Sequence, residues 1–377
     1  MAQTILYVSH VAAAGGAERS LADLVRGLDP ARFKAVVAMP SGGRLQARLG
    51  NVRVCPLPLV RMRRTRNPFR LTRYAVSLLR IGIVLGRLAR RHGAVLIHAN
   101  STTAQLYARV ASIYAGIPTV WHCRDLVPLG RLVRPLTSGR THVVAISDAV
   151  AGHLRSAGVP PAKLSRVYNG IAVAPATDRG RFRRELGIAE AGVLYGMVGQ
   201  LVPWKRHDLF LGAARQIAER QPEARFAVIG VDWFDDHPHY RRRLRETAAQ
   251  GVLAGRVHFC GFRENMPTVL GDLDVLVHPA EREPFGRVIA EAMALGRPVV
   301  AVNACGPAEL IRDEVEGLLV APGSVTELAN AALRVACDPE LATRLGRAAQ
   351  RRIERDFALS AFVRRMERVY ESATGAG

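Results

Sequence analysis

The sequence is poor in lysine, in paired cysteines and, over one long stretch, in acid. Of its 53 basic residues only Lys34, Lys163 and Lys205 are lysines. The five cysteines, Cys55, Cys123, Cys260, Cys305 and Cys337, are odd in number and widely spaced, and no CxxC occurs. This disfavours a disulfide framework or a zinc site and suits a reducing cytosol. No apolar run reaches the roughly 20 residues that a membrane span needs. The nearest, Ala75 to Arg91, is interrupted by Arg80 and Arg87. The opening MAQTILYVSH has neither a basic n-region nor a long apolar h-region, so no signal peptide is expected. GxGxxG is absent too, which argues against a nicotinamide or flavin enzyme.

Acid is missing where base is abundant. Residues 1–175 hold 25 Lys and Arg against 5 Asp and Glu, a net charge of +20, whereas residues 176–377 hold 28 against 27. No acidic residue lies between Asp29 and Asp125. A composition bias accounts for Arg over Lys but not for absent acids. The asymmetry points to a polyanion or a membrane surface as partner of the first half. The Ala75–Arg91 stretch reads as a soluble helix or, with RMRRTRNPFRLTR just before it, as a basic amphipathic helix touching a membrane. Nucleic acid is set aside: there is no binding motif, no aromatic-interleaved basic patch and no zinc spacing.

What is present is a rhythm of short apolar runs and helical patterns. ILYVS, KAVVAMP, VRVCPL, AVLIHAN, PTVWHC, HVVAIS and SRVYN read as strands of one series; VLYGMVG, RFAVIG, RVHFCG, DVLVHP, PVVAV and GLLVA read as a second. Helical patterns fall between most of them, including Ala17–Leu28, Thr102–Ala115, Arg206–Arg220, His239–Gln250, Gly286–Leu295 and Val325–Cys337. Near-continuous apolar strands alternating with helices make parallel sheets covered on both faces. The fold class is therefore α/β, with two doubly wound Rossmann-like domains facing a cleft. The expected boundaries are 1–175, 176–355, and a C-terminal helix over 356–377 that packs back on the first domain.

Open α/β sheets bind ligands outside the carboxyl ends of their strands, so the strand–helix junctions carry the chemistry. The run EREPFGRVIAEAMALGRPVVA follows DVLVHP. Pro284 and Gly286 mark a helix start, and the N–H groups around Gly286 and Arg287 form an anion site. Glu283 in the loop and Glu291 in the helix flank that anion without contacting it. Carboxylates accept strong bonds from sugar hydroxyls, so a sugar on one side of a diphosphate and a ribose on the other would use both. A solvated loop residue and a helix-surface charge are the plainer alternative. In VLYGMVGQLVPWKRHDLF, Lys205 and Arg206 open a helix where they would hold a diphosphate leaving group. Gly15-Gly16 precede a helix after the first strand, and His122 stands at the end of an apolar strand in VWHCRDL; each alone is as readily structural. Asn169-Gly170 reads as a turn. Asp272-Leu273-Asp274 resembles a metal-binding DxD, but it opens a strand on the edge away from the ligand and reads as structural.

Taken in order, these junctions resemble the retaining glycosyltransferases of family 4, which have the GT-B fold. The E-x7-E signature stands as Glu283-Pro284-Phe285-Gly286 to Glu291. With it come Gly15-Gly16-Ala17-Glu18, His122, Asn169-Gly170-Ile171, the Gly199 to Lys205 loop, Gly230, Gly261-Phe262 and Gly306-Pro307-Ala308-Glu309. The resemblance spans nearly the whole chain.

The resemblance implies that the second domain binds a nucleotide diphosphate sugar. Glu291 would hold the ribose, Glu283 the donor sugar hydroxyls, and Lys205 the diphosphate. Phe285, Gly286 and Arg287 would line the phosphate site, and Phe262 would border the base. Gly16 would let the phosphates approach the first domain, His122 would sit near the donor sugar, and the first domain would take the acceptor. One departure stands out: the family commonly has Arg after the glycine of the Gly199 loop, and here it is Gln200. A neutral amide brings no charge, so Arg206 or another arginine must supply it, or the leaving group is less stabilised. The reaction implied is front-face displacement with retention, with no metal and no cofactor beyond the nucleotide sugar.

The acceptor would be a glycan or a lipid-linked glycan. The chain would be cytoplasmic, free or peripheral at the inner face of the cell membrane. An epimerase or hydrolase of the same fold and a non-catalytic sugar-nucleotide sensor are the competing classes.

Overall fold

The computed structural model describes residues 2–13, 15–63, 65–172, 178–189 and 192–375. The chain divides into two compact units, Met1–Gly170 with Leu359–Gly377, and Ile171–Ala358. The expected change of domain at 175/176 lies outside the described residues.

In the first unit seven strands, β1 (Gln3–Val8), β2 (Phe33–Met39), β3 (Arg53–Pro56), β4 (Ala94–Ala99), β5 (Thr119–Cys123), β6 (Thr141–Ala145) and β7 (Leu164–Arg166), form one sheet in the order β3-β2-β1-β4-β5-β6-β7. Every pairing is parallel. Alternation along the strands puts apolar side chains on both faces. Ile5, Tyr7, Val37 and Met39 pack beneath the helix Gly16–Gly27. Leu6, Val8, Val36 and Ala38 pack on the other face, with the helices Pro68–Arg91 and Thr102–Ala115.

The helix Pro68–Arg91 begins seven residues before the apolar stretch that announced it. Asn67 caps it by accepting from the Arg70 N–H at 3.2 Å, and Pro68 sits at its first position.

The C-terminal helix starts at Leu359, because residues through Asp356 finish the preceding helix, Pro339–Asp356. It runs to Thr374 within the first unit, where Phe362, Val363, Met366 and Tyr370 join the core. A Cβ on Gly170 would lie 2.7 Å from the Leu359 Cα, so only glycine allows that approach. Tyr370 binds His98 Nδ1 at 2.8 Å and accepts from Tyr7 at 3.2 Å, and Glu367 accepts from the Asp29 N–H at 2.9 Å.

The second unit has six strands, β8 (Leu194–Val198), β9 (Arg225–Ile229), β10 (Val257–Gly261), β11 (Val275–His278), β12 (Val299–Val302) and β13 (Leu318–Val320), ordered β10-β9-β8-β11-β12-β13. These pairings are also all parallel. The strand order reverses between β1 and β4 in the first unit and between β8 and β11 in the second. Those are the switch points where such sheets take ligands.

Both carboxylates of the DxD are consumed by structure. Asp272 accepts from the N–H groups of Gly180 (2.6 Å) and Phe182 (2.8 Å), and Asp274 from Leu194 N–H (2.7 Å) and Arg183 (2.9 Å). They tie the segment before β8 to the amino end of β11.

Candidate active site

The loop after β8 is shaped by three glycines. Gly230 has φ +141°, and a Cβ there would fall 1.9 Å from the Gly199 carbonyl oxygen, so a side chain would push the two loops apart. Gly199 N–H donates to Ile229 at 2.9 Å, and Gly230 N–H to Gly261 at 2.8 Å, which ties the ends of β8, β9 and β10 together. The turn Pro203–Lys205 follows, then Arg206 in the left-handed region (φ 59°), capping the helix His207–Arg220. This reversal lays the Lys205 stem over Gly199 and its ammonium over the Trp204 ring, 4.4 Å from the centroid.

Lys205 reaches Glu283, which the loop after β11 presents, and the two are bonded through Nζ and Oε2. The Glu283 carboxylate is 9% exposed and fully engaged. Oε2 also accepts from His278 Nε2 at 3.1 Å, and Oε1 accepts from the Gly286 N–H at 3.2 Å. Burial alone would raise its pKa; the Lys205 charge and the His278 bond outweigh burial and hold it well below the usual carboxylate range. Burial lowers the pKa of His278 and, together with the Lys205 charge, pushes that of His207 down to about 3. Both imidazoles are therefore neutral at pH 7. His278 was not singled out in the sequence. Its signal was its place as the last residue of β11, five before Glu283.

Gly286 is left-handed (φ 91°, ψ 51°) and caps the helix Arg287–Ala294. Within that helix Arg287 Nε donates to Glu291 Oε1 at 2.8 Å, with the two side chains 12% and 11% exposed. Arg206 is held by Glu281 at 2.6 Å and Asp208 at 3.2 Å. The Phe285 ring is buried against Phe357, and a Cβ on Gly306 would meet its Cα at 2.4 Å. Phe285 thus fixes the loop through packing. Phe262, half-buried after β10, meets Trp233 edge to face at 4.8 Å. Gln200 lies in the loop between Gly199 and Lys205, its carbonyl accepting from Val202 N–H at 2.8 Å.

The site in this unit is a set of mutual pairs: Lys205 with Glu283, Arg206 with Glu281, Arg287 with Glu291. Cations suit phosphate and carboxylates suit hydroxyls. A ligand carrying both would exchange partners with every pair and leave no buried charge alone.

In the first unit Gly16 opens the helix Gly16–Gly27, with Gly15 as its cap. Glu18, at the third helical position, reaches back to the Gly15 N–H, half of a capping box. Burial raises its pKa to about 7 against that bond and the Arg124 charge. His122 is buried at the end of β5. Its Nδ1 lies 3.2 Å from Arg124 Nη2, and a guanidinium only donates, so the ring is neutral with its proton on Nε2. Burial, then the Arg124 charge, depress its pKa accordingly.

Arg124, unnoticed in the sequence, organises this region. It donates to Asn100 (2.8 Å), Asn169 (2.8 Å) and Ser20 (3.0 Å). Asn100 in turn donates to the Ala17 carbonyl at 3.3 Å, which joins His122 to the helix start at Gly16. The hint was Arg124 two residues after His122 in VWHCRDL.

Comparison with known proteins agrees with this architecture. Residues 14–174 match the model of Glycosyltransferase Family 4, and residues 178–352 match Glycosyl transferases group 1. The crystal structure of Anabaena HepE in complex with UDP-glucose superposes with a TM-score of 0.83 at 26% identity, over 98% of this chain and 99% of that one. The D-inositol 3-phosphate glycosyltransferase of Kribbella flavida is 34% identical over 51% of this chain and 47% of its own, so the match spans about half of that relative. An Escherichia coli UDP-Gal:alpha-D-GlcNAc-diphosphoundecaprenol alpha-1,3-galactosyltransferase is 26% identical over 69% of this chain and 70% of its own. The class is thus a glycosyltransferase with the GT-B fold. The chain belongs to the family 4 glycosyltransferases.

Proposed function

We propose that the chain moves a hexose from a uridine diphosphate sugar to a glycan or lipid-linked glycan, with retention at the anomeric carbon. The observation that carries this reading is the self-paired set Lys205–Glu283–His278 and Arg287–Glu291 at the carboxyl ends of β8 and β11. The UDP-glucose bound to HepE and the diphosphoundecaprenol-linked acceptor in the galactosyltransferase's name support the choice of donor and acceptor.

In this reading the diphosphate draws Lys205 and Arg287 from their carboxylates and caps the helix at Gly286. Glu291 then accepts from the ribose hydroxyls and Glu283 from the sugar hydroxyls. Glu283 is not a nucleophile. Its low basicity and its bonds to His278 and the Gly286 N–H orient it as an acceptor. The C1–O bond to the diphosphate breaks while the acceptor hydroxyl attacks C1 from the same face. The departing phosphate oxygen takes the hydroxyl proton, and Lys205 with the helix N–H groups meets the developing charge. No metal is needed in this scheme. His122 offers its Nε2–H to a substrate hydroxyl. The Gln200 amide donates a hydrogen bond without charge, and Arg287 supplies the charge that an arginine at 200 would bring. The basic first unit faces an anionic membrane that holds the acceptor.

Proton NMR of the reaction with UDP-glucose and a pyrophosphoryl-lipid acceptor tests this. The expected product has the small anomeric coupling of an α-linkage. A β-linked product, or donor consumption without acceptor, contradicts it.

A further inference from the structure

We propose that the helix Pro68–Arg91 is the element that docks the chain on an anionic lipid bilayer, lying in the headgroup layer with its first turns inserted. This deepens the membrane part of the proposed function and can fail independently of the sugar chemistry.

The helix has 24 residues, about 36 Å at 1.5 Å per residue. Residues Pro68 to Arg73 are all exposed, and packing begins in the turns after them, where Ser77 Oγ lies 3.1 Å from the Tyr107 hydroxyl and Leu78 meets the core. Gly82, Leu85, Gly86 and Ala89 are its buried residues, and none comes from its first three turns. A Cβ on Gly82 would lie 2.5 Å from the Val110 Cβ, and one on Gly86 2.8 Å from the Tyr114 ring, so the two glycines seat the helix closely on its neighbour, Thr102–Ala115. The first turns then project, anchored by the Asn67 cap.

The outward side has its own order. Arg66, Arg73, Arg80 and Arg87 recur every seven residues, as do Phe69, Val76 and Ile83. Seven residues are nearly two turns, so Arg73, Arg80 and Arg87, like Phe69, Val76 and Ile83, stay on one side of the helix, with Arg66 just before its cap. All four arginines are exposed. Phe69 is 86% exposed and Leu79 58%. Five of the 13 exposed large hydrophobics among the described residues (Phe69, Leu71, Val76, Leu79 and Val84) lie on this helix. No acid anywhere in residues 30–124 interrupts the positive field.

A helix facing only water has no use for bare phenylalanine and leucine between its arginines, and a polyanion in solution would not cover them. A bilayer surface answers both. Apolar side chains enter the acyl boundary while arginines bind lipid phosphates, their stems lying along the apolar layer. No helix among the described residues is long and apolar enough to cross a membrane, so this contact is to a surface.

The test is co-sedimentation of the full chain with vesicles of phosphatidylcholine alone or with 30% phosphatidylglycerol, at ~0.1 M and ~0.5 M salt. The wild type is expected on the anionic vesicles only, and less at high salt. Arg73→Glu with Arg80→Glu should lower the affinity by about 100-fold or more. Phe69→Ser with Leu79→Ser should lower it by about tenfold or more with the charge unchanged. All four side chains are exposed, so melting temperature and UDP binding should stay as in the wild type. Equal binding to both vesicle types overturns the proposal. So does wild-type binding by the serine pair, which would make the contact purely ionic, or equal binding to single-stranded DNA with the same dependence on all four residues. Lost UDP binding with intact vesicle binding would instead overturn the donor reading alone.

Discussion

Replacing Glu291 by Gln keeps the side chain's size and one acceptor oxygen but removes the charge. In the free chain this carboxylate accepts from Arg287 Nε at 2.8 Å, with both side chains nearly buried. In the bound state it is proposed to accept two ribose O–H groups. Hydrogen bonds to a charged group contribute about 1.5–3 kcal/mol each. One of the two bonds replaces the bond to Arg287, so the net loss is about 1.5–3 kcal/mol, or UDP bound about 10- to 150-fold more weakly. The 2′-deoxy form of UDP lacks one of the hydroxyls, so its one remaining bond only replaces that to Arg287 and the same substitution should cost it little. Isothermal titration of both proteins with both ligands closes the cycle. An equal loss for UDP and its deoxy analogue would mean that Glu291 acts by holding Arg287 or the helix, and the ribose assignment would be wrong.

Lys205→Met leaves the Glu283 carboxylate nearly buried beside a neutral His278, and the lost partner should cost about 3–5 kcal/mol of stability. Adding Glu283→Gln should recover part of it in a denaturant melt; strictly additive losses would deny the pair. His207 titrates at about 3 in the folded chain against about 6.5 unfolded. Between these values the unfolded state binds the extra proton, so this residue's contribution is complete above pH 6.5 and falls by about 1.4 kcal/mol per pH unit as the medium is acidified. His207→Phe should therefore lose less of its melting temperature from pH 7 to pH 5 than the wild type, and equal losses would refute the assignment. Gly230→Ala, with φ at +141° and its Cβ on the Gly199 carbonyl, should melt lower and lose the UDP response; an unchanged melt would show that the loops are not so tightly joined.

Both sheets were legible because their inner strands are short apolar runs buried on both faces, and the 13 strands, including the half-exposed edge strands β3, β7 and β10, correspond to the 13 runs. Helix ends were legible where a serine caps them, as Ser101 does at Thr102 and Ser324 at Val325. They slipped by a residue where the cap is a left-handed residue, Arg206 or Gly286, since both read as the first residue of the helix. The seventh run, SRVYN, keeps strand form only to Arg166, because the chain turns away to deliver Asn169 to Arg124.

The glutamates and Lys205 were found by their junctions, but their mutual pairing was not. Lys205 and Glu283 are 78 residues apart and meet only because β8 and β11 are neighbours across the switch point. Arg124 escaped notice for the same reason: Ser20, Asn100 and Asn169 come from three distant junctions. The burial of the Phe285 ring against Phe357 was not legible either, since Phe357 lies 72 residues further along the chain.

The most direct test of the central claim is calorimetric titration of the whole chain with UDP, UDP-glucose, GDP and CMP, repeated with Glu291→Ala. UDP and its sugar should bind the wild type, CMP should not, and the substitution should remove the binding. No heat from any nucleotide at millimolar concentration, or equal binding by the variant, would contradict a donor site built on Glu283, Glu291 and Lys205.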